Sequence, residues 1–266
     1  MLMLDEIKIR AQLKELAITA PKIITYSLTD STNTRAREFA KSHPDNKAPT
    51  VFIADGQTNG RGRRGRSFFS EQGAGIYISF LIYPESRGAD ATRVTAHAAV
   101  ALAEAISAVT SLQPKIKWVN DIYSGEKKLV GILAESEMSA DGNIAFLVVG
   151  MGVNVYKTTL PDEISDIATS IEAECGERVS RELLTAEIIK NILFRTLSEE
   201  ELLARYRDYS FIVGKEITVT RISGESYTAK ATEILDDYSL LVDKPDGSSE
   251  RLFTGEVSTK IKQKQE

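Results

Sequence analysis

Residues 50–83 read TVFIADGQTNGRGRRGRSFFSEQGAGIYISFLIY: an apolar run, a loop of glycines and arginines, and a second apolar run. The runs 50–54 and 76–83 predict two buried strands. The loop between them contains GRGRRGR at residues 60–66, with four arginines and three glycines in seven positions. Glycine lets a backbone approach a ligand closely, and arginine binds phosphate or carboxylate oxygens bidentately. The stretch therefore indicates an anion-binding loop on a sheet, although a solvated arm that contacts RNA explains the loop equally well.

Strands and helices alternate on both sides of this stretch, which predicts an α+β domain with a mixed β-sheet and flanking helices. Further strands are expected at residues 23–26, 115–118, 129–135 and 144–151. Helices are expected within residues 1–20, from Ser31 to about Ser42, from Asp90 to Val109, and as one long amphipathic helix from Arg181 to Tyr209. The side chains of Ser31-Thr32-Asn33 are typical of helix N-caps.

The pattern changes at Gly214, where short strands separated by Ser-Gly, Asp-Asp and Asp-Gly turns replace the alternation. We expect these strands at residues 216–222, 226–234, 239–242 and 251–253. Closely spaced short strands of this kind are typical of a small β-barrel. The sequence therefore predicts two domains, residues 1–213 and residues 214–266.

The composition excludes several classes of protein. The chain has 266 residues, of which 42% are hydrophobic and 27% charged, as in an ordinary globular protein. Its net charge of −5 means that any anion site must be local. One cysteine, Cys175, and two histidines argue against disulfides and zinc sites, and they favour a reducing cytoplasm. No apolar run approaches the ~20 residues that span a bilayer, so no membrane association is expected.

A second group of polar residues surrounds a predicted turn between strands. Residues 117–121 read KWVND, and residues 127–133 read KKLVGIL. Asp121 beside Asn120 suits a hydrated Mg²⁺ ion, because Mg²⁺ keeps several waters and takes few protein carboxylates. Lys128 enters an apolar strand, where its ammonium could hold a carboxylate or a phosphate. A hairpin with solvated charges is the simpler alternative, and Trp118 alone suits a core position.

Two more segments combine small and polar residues. Gly150 and Gly152 follow an apolar strand and precede Asn154, and such glycines allow a nucleotide or another backbone to come close. A β-bulge explains them equally well. The segment 30–33, DSTN, offers hydroxyls and an amide to a neutral polar group such as a urea, although it could serve only as a helix cap.

Taken in order, these segments resemble the biotin–protein ligases. The resemblance covers about residues 22–257 and rests on five motifs: DSTN at 30–33, Gln57 with GRGRRGR at 60–66, KWxND at 117–121, KLxGILxE at 128–135 and GxGxN at 150–154. Val119 departs from the family's usual proline and Phe68 from its common tryptophan. Because 20 residues precede Pro21, we expect the monofunctional type without a DNA-binding domain. The resemblance implies a class II synthetase-like catalytic domain and a C-terminal SH3-like β-barrel.

The resemblance also implies an activity. Biotin and ATP, with Mg²⁺, would give biotinyl-5′-AMP, and the biotinyl group would pass to a lysine of a biotin carboxyl carrier domain. No specific DNA binding is expected, and homodimer formation is open. Catalysis is assigned to Lys128, Arg63 and Arg61; biotin binding to Ser31, Thr32, Asn33, Gln57, Arg61, Gly62, Arg63 and Lys128; ATP or adenylate binding to Arg64, Arg66, Trp118, Asn120 and Asn154; and a metal to Asp121.

Two alternatives remain at this stage. Lipoate–protein ligases share the fold and the reaction type, but they carry a Gly-Gly-Gly segment that is absent from this sequence. An Arg/Gly nucleic-acid-binding module would need a wider basic surface and more stacking aromatics than Phe68 and Phe69. Both alternatives predict no response to biotin.

Overall fold

The computed structural model describes residues 4–84, 91–221, 223–253 and 258–261. The helices are α1 Glu6–Glu15, α2 Thr32–Ser42, α3 Ala91–Val109, α4 Asp162–Ser165, α5 Ile171–Cys175, α6 Arg181–Leu193 and α7 Glu199–Tyr209. The strands are β1 Lys22–Tyr26, β2 Thr50–Ala54, β3 Gly75–Ile82, β4 Lys115–Lys117, β5 Asp121–Ser124, β6 Lys127–Met138, β7 Ile144–Asn154, β8 Glu216–Thr220, β9 Ser226–Ile234, β10 Leu240–Asp243, β11 Ser249–Leu252 and β12 Ser258–Ile261. Asp90 and Ile222, expected at the ends of a helix and a strand, lie outside the described residues.

The expected mixed β-sheet is confirmed. Seven strands lie in the order β1-β2-β3-β7-β6-β5-β4, and the β1–β2 pair is parallel whereas the other pairs are antiparallel. In the centre, Gly150 of β7 pairs with Ser79 of β3 on one side and Leu133 of β6 on the other. The glycine motif therefore lies in the middle of the sheet.

Helices cover both faces of this sheet. The alanine-rich helix α3 packs against α6 and β6, and α1 packs against α6. Small alanines let α3 lie close to its neighbours, and ten of its residues are buried. Helix α2 contacts β2, β3 and β7, and its Ala36 and Ala40 form a separate apolar cluster with Phe52 of β2. The DSTN segment leads into α2, so its Asn33 lies against Gly150 in the middle of the sheet.

Two local expectations were wrong. The segment 181–209 forms α6 and α7 rather than one helix, since Ser198 starts a new helix through a reciprocal capping box with Glu201. In addition, no strand was expected at residues 121–124, where β5 forms and pairs with both β4 and β6. Such a short strand gains most of its stability from its neighbours, so its own pattern is weak.

The C-terminal residues form an antiparallel sheet in the order β11-β10-β9-β8-β12, which confirms the expected small β unit and adds β12. The turn between β9 and β10 contacts the larger domain. Trp118 Nε1, just after β4, donates to the Tyr238 carbonyl at 2.8 Å, and the Tyr206 ring of α7 meets the Tyr238 ring edge-on with centroids 5.6 Å apart. The division of the chain at residue 213 stays a prediction. No helix among the described residues has the length and apolar character needed to cross a membrane.

Candidate active site

One cavity of about 330 Å³ lies above the central strands and gathers nearly all the residues that the sequence indicated. Segments far apart in the chain contribute to it, among them the start of α2, the Arg/Gly loop, the KWVND segment, the first half of β6 and the glycines of β7. Of the predicted site residues, it is lined by Ser31, Thr32, Asn33, Gln57, Arg61, Gly62, Arg63, Arg64, Arg66, Trp118, Asn120, Asp121 and Lys128. Asn154 lies elsewhere, in a neighbouring cavity of about 200 Å³ with Lys127 and Lys157.

Glycines make room for the site on the sheet. A Cβ atom on Gly150 would overlap the Asn33 amide, and one on Gly152 would overlap the Phe68 ring. A Cβ atom on Gly131 would lie 3.1 Å from both the Phe68 ring and Lys128 Nζ, so this glycine also makes room for two side chains. The two glycines of the GxGxN motif therefore admit side chains from other segments rather than forming a bulge.

At one end of the cavity, neutral polar groups form a continuous network. Gln57 Oε1 accepts from the Thr32 backbone N–H at 2.8 Å, and the Ser79 hydroxyl lies 2.7 Å from Thr32 Oγ1 and 2.6 Å from Asn33 Oδ1. Ser79 is fully buried, and Thr32 and Asn33 are each 4% exposed. Sequence analysis missed Ser79, although a hydroxyl inside an otherwise apolar strand was a usable signal. This network fixes the orientation of two side chains predicted to bind the ligand.

The N-cap expectation for Ser31 holds by position only. Ser31 occupies the N-cap of α2, but its side chain makes no capping hydrogen bond. The side chain is buried beside the cavity instead. A buried hydroxyl that lines the cavity rather than capping its own helix is available to a ligand.

The Arg/Gly loop is a small hairpin. Gly62 N–H donates to the Arg66 carbonyl at 2.7 Å, and Phe68 N–H donates to the Gly60 carbonyl at 2.9 Å. At its tip Arg64 and Gly65 have φ angles of 57° and 73°, in the left-handed region that glycine adopts readily. The glycines therefore serve the turn as well as close approach to a ligand.

Two arginines anchor this hairpin to the sheet. Arg61 forms a two-pronged ion pair with Glu135, at 2.9 and 3.3 Å, and Arg63 NH1 donates to Asn120 Oδ1 at 2.9 Å. Burial lowers the pKa of Arg63, and the neighbouring cations Arg64 and Arg66 lower it further, while Asp121 opposes them. A partly desolvated guanidinium that meets a neutral amide would gain strongly from an anionic ligand.

Lys128 and Asp121 face each other inside the cavity. Lys128 Nζ lies 2.7 Å from Asp121 Oδ1, with side chains 27% and 23% exposed. The Lys128 backbone is fixed as well, because its N–H donates to the Ile167 carbonyl at 2.8 Å and its carbonyl accepts from Thr169. This ammonium group therefore has a defined position on a side chain that is only partly exposed to solvent.

The magnesium ligand assigned to Asp121 stays a prediction. Asn120 Oδ1 already accepts from Arg63, and Asp121 Oδ1 already faces Lys128. A hydrated Mg²⁺ ion bound through these oxygens would therefore compete with two cationic side chains.

The comparisons with known proteins agree with this geometry. Residues 25–154 match the Biotin/lipoate A/B protein ligase family. The chain is 33% identical over 257 residues to the bifunctional ligase/repressor BirA of Bacillus spizizenii, a match that covers 92% of this chain and 76% of that protein. The chain belongs to the Biotin/lipoate A/B protein ligase family.

Two further proteins similar to this chain are named as biotin ligases. The biotin–[acetyl-CoA-carboxylase] ligase of Mycobacterium tuberculosis is 31% identical over 254 residues, in a match that covers 90% of this chain and 90% of that protein. The structure of the biotin protein ligase from Aquifex aeolicus in complex with biotin and ATP superposes with a TM-score of 0.77 at 28% identity, over 91% of this chain and 99% of that one. The resemblance drawn from the five motifs is thereby confirmed.

Proposed function

We propose that this chain is an ATP-dependent biotin–protein ligase that makes biotinyl-5′-AMP and transfers the biotinyl group to a lysine of a biotin carboxyl carrier domain. The observation that carries the proposal is the composition of the cavity. A buried, neutral hydrogen-bonding network lies at one end, and a cluster of arginines with Lys128 lies at the other. Biotin has the same polarity, with a neutral ureido ring at one end and a carboxylate at the other.

The neutral end suits the ureido ring. Asn33 uses its Nδ2 group on Glu135 and on the Leu133 carbonyl. Its Oδ1 atom accepts from Ser79, so the second lone pair of Oδ1 can accept from a ureido N–H. The buried hydroxyls of Ser31 and Thr32 and the amide of Gln57 complete a set of donors and acceptors without net charge. A site that hydrogen-bonds a polar ring discriminates against analogues that lack it.

The cationic end suits adenylation. A carboxylate oxygen of biotin attacks the α-phosphorus of ATP, the new P–O bond forms, and the bond to pyrophosphate breaks. Two anions must approach each other, so the site has to supply positive charge and orientation rather than a protein nucleophile. Lys128, Arg63, Arg64 and Arg66 provide that charge. Asp121 holds the Lys128 ammonium in place.

The second step needs no further charge. The amine of the acceptor lysine attacks the acyl carbon of biotinyl-AMP, an amide forms, AMP leaves with the electron pair of the anhydride bond, and the amine loses a proton. The hairpin carrying Arg61 to Arg66 would cover the anhydride until the acceptor arrives. Water exclusion of this kind prevents hydrolysis of a reactive intermediate.

The nucleotide would lie beside Trp118 and Asn120 in the main cavity and extend toward Asn154 and Lys127 in the neighbouring one. Magnesium would enter with the ATP substrate as its counter-ion. The cytoplasmic location, the homodimer and the absence of specific DNA binding stay predictions from the sequence.

The decisive test is a reaction with biotin, ATP, Mg²⁺ and a biotin carboxyl carrier domain, followed by mass spectrometry of the carrier. The expected result is one biotinyl addition on one lysine. A parallel reaction with lipoate and a lipoyl domain separates the two branches of the family. Modification of the lipoyl domain alone, or of neither domain, would contradict the proposal.

A further inference from the structure

The Glu135 carboxylate joins two parts of the cavity that lie far apart in the chain. Its Oε2 atom accepts from Asn33 Nδ2 at 2.9 Å, and its two oxygens bind the Arg61 guanidinium at 2.9 and 3.3 Å. The side chain is 14% exposed, so water competes little for these bonds. One carboxylate thus contacts the head-group network and the hairpin at the same time.

The register of β6 explains this position. Alternate residues of a strand point to the same face, so Gly131, Leu133, Glu135 and Glu137 lie on one side of β6. Gly131 and Leu133 line the cavity. Glu135 is the next residue on that face, opposite Val148 of β7, and lies at the rim where α2 and the hairpin meet.

We propose that Glu135 is a positioning residue that couples head-group recognition by Asn33 to the position of the Arg61 hairpin; this inference rests on the proposed biotin ligase function. Asn33 is oriented from both ends, because Ser79 meets its Oδ1 atom and Glu135 accepts from its Nδ2 group. Arg61 is oriented by the same carboxylate. Loss of the negative charge therefore releases the hairpin and loosens the asparagine together.

The charge matters more than the shape. In Glu135→Gln, one amide oxygen remains, which can accept from Asn33 or from Arg61 but cannot replace two charged oxygens. Charge-assisted hydrogen bonds are roughly twice as strong as neutral ones. The Glu135 carboxylate also balances the charge of Arg61, one of the four arginines of the hairpin. In Glu135→Gln that guanidinium loses its carboxylate partner.

Glu137 supplies a matched control. It lies two residues further along the same face of β6 and forms ion pairs with Lys41 at 3.0 Å and with Arg37 at 3.8 Å. Arg37 also lies 3.5 Å from Glu135, so the Glu135→Gln and Glu137→Gln variants both lose a contact with Arg37. Glu137 contacts neither Asn33 nor Arg61 in the hydrogen bonds and ion pairs of the described residues. Glu137→Gln therefore removes an equal charge from the same strand without touching the proposed coupling.

The first measurement needs no activity. Trypsin should cut within residues 61–66 of unliganded Glu135→Gln about tenfold faster than in the parent or in Glu137→Gln, because cleavage follows the population of the released hairpin. Arg61→Gln tests the same pair from its more exposed side. Equal cleavage rates in Glu135→Gln and Glu137→Gln would overturn the inference, whatever the protein's activity.

The second measurement addresses coupling. We expect Glu135→Gln to raise KM for biotin and the dissociation rate of biotinyl-AMP by about tenfold each. The melting temperature of the unliganded variant serves as the control for general loss of structure. The double variant Arg61→Gln/Glu135→Gln should release biotinyl-AMP no faster than Glu135→Gln alone, since that single variant already lacks the ion pair with Arg61. Multiplied effects in the double variant would overturn the coupling. A parent protein that forms no biotinyl-AMP would instead overturn the proposed function.

Discussion

The ammonium group of Lys128 lies 2.7 Å from the carboxylate of Asp121, across the turn that joins β5 to β6. The two side chains belong to different motifs, and the β5–β6 register brings them together at the cationic end of the cavity. Asp121 therefore orients this lysine. The pair gives the site one ammonium group with a defined position beside the arginines of the hairpin.

Replacement of Lys128 by alanine should slow adenylation by on the order of 10²–10³-fold, because loss of one oriented charge at a transition state typically has this effect. Pyrophosphate release under saturating biotin and ATP measures the rate. Lys115→Ala is the control, since Lys115 is an exposed residue of β4 that lines neither of the two cavities described above. Unchanged pyrophosphate release by Lys128→Ala would refute its role.

Replacement of Arg63 by glycine should increase leakage of biotinyl-AMP. The change removes the Asn120 contact and adds backbone freedom, so the closed hairpin becomes less stable. A released mixed anhydride acylates accessible lysines, and serum albumin should therefore gain biotin in the variant's presence. A streptavidin blot beside the off-rate of radiolabelled biotinyl-AMP provides the measurement. If both match the parent, Arg63 does not belong to a lid.

Ligand should protect the hairpin from proteolysis. In the unliganded protein the hairpin is held by backbone hydrogen bonds, by the partly exposed Arg61–Glu135 ion pair and by the half-buried Arg63–Asn120 hydrogen bond. Biotin with ATP adds an anion that several arginines can bind, so opening becomes rarer. Trypsin cleavage between Arg61 and Arg66 should slow at least tenfold with both ligands present. Identical cleavage with and without ligands would contradict this expectation.

Replacement of Ser79 by alanine should weaken biotin binding more than ATP binding. The hydroxyl links Thr32 to Asn33, and its loss leaves buried polar atoms without a partner, which costs about 1–3 kcal/mol. We expect KM for biotin to rise about tenfold while KM for ATP changes less than twofold. Ser70→Ala offers a comparison, because Ser70 contacts Gln57 but not Asn33. Equal effects on both substrates would indicate a general loss of structure.

Much of the site was visible in the sequence for a chemical reason. Binding two anions requires several arginines and a lysine, and close approach requires glycines, so residues 60–66, Lys128 and Gly152 stand out whatever fold carries them. The large elements were equally clear, since α3 and β7 have long apolar patterns. Helix caps were less clear: Ser198 split one expected helix into α6 and α7.

The pairings between segments required the tertiary structure. Glu135 lies 102 residues from Asn33, Ser79 lies 46 residues from it, and Arg61 lies 74 residues from Glu135. Local pattern carries no information on such distances, because the order of the strands and the register between β3, β7 and β6 decide which side chains meet. The sequence determined which chemical groups this protein has for an anionic ligand and a neutral polar one. The folded sheet decided that those groups share one cavity and that Asp121 and Glu135 orient them.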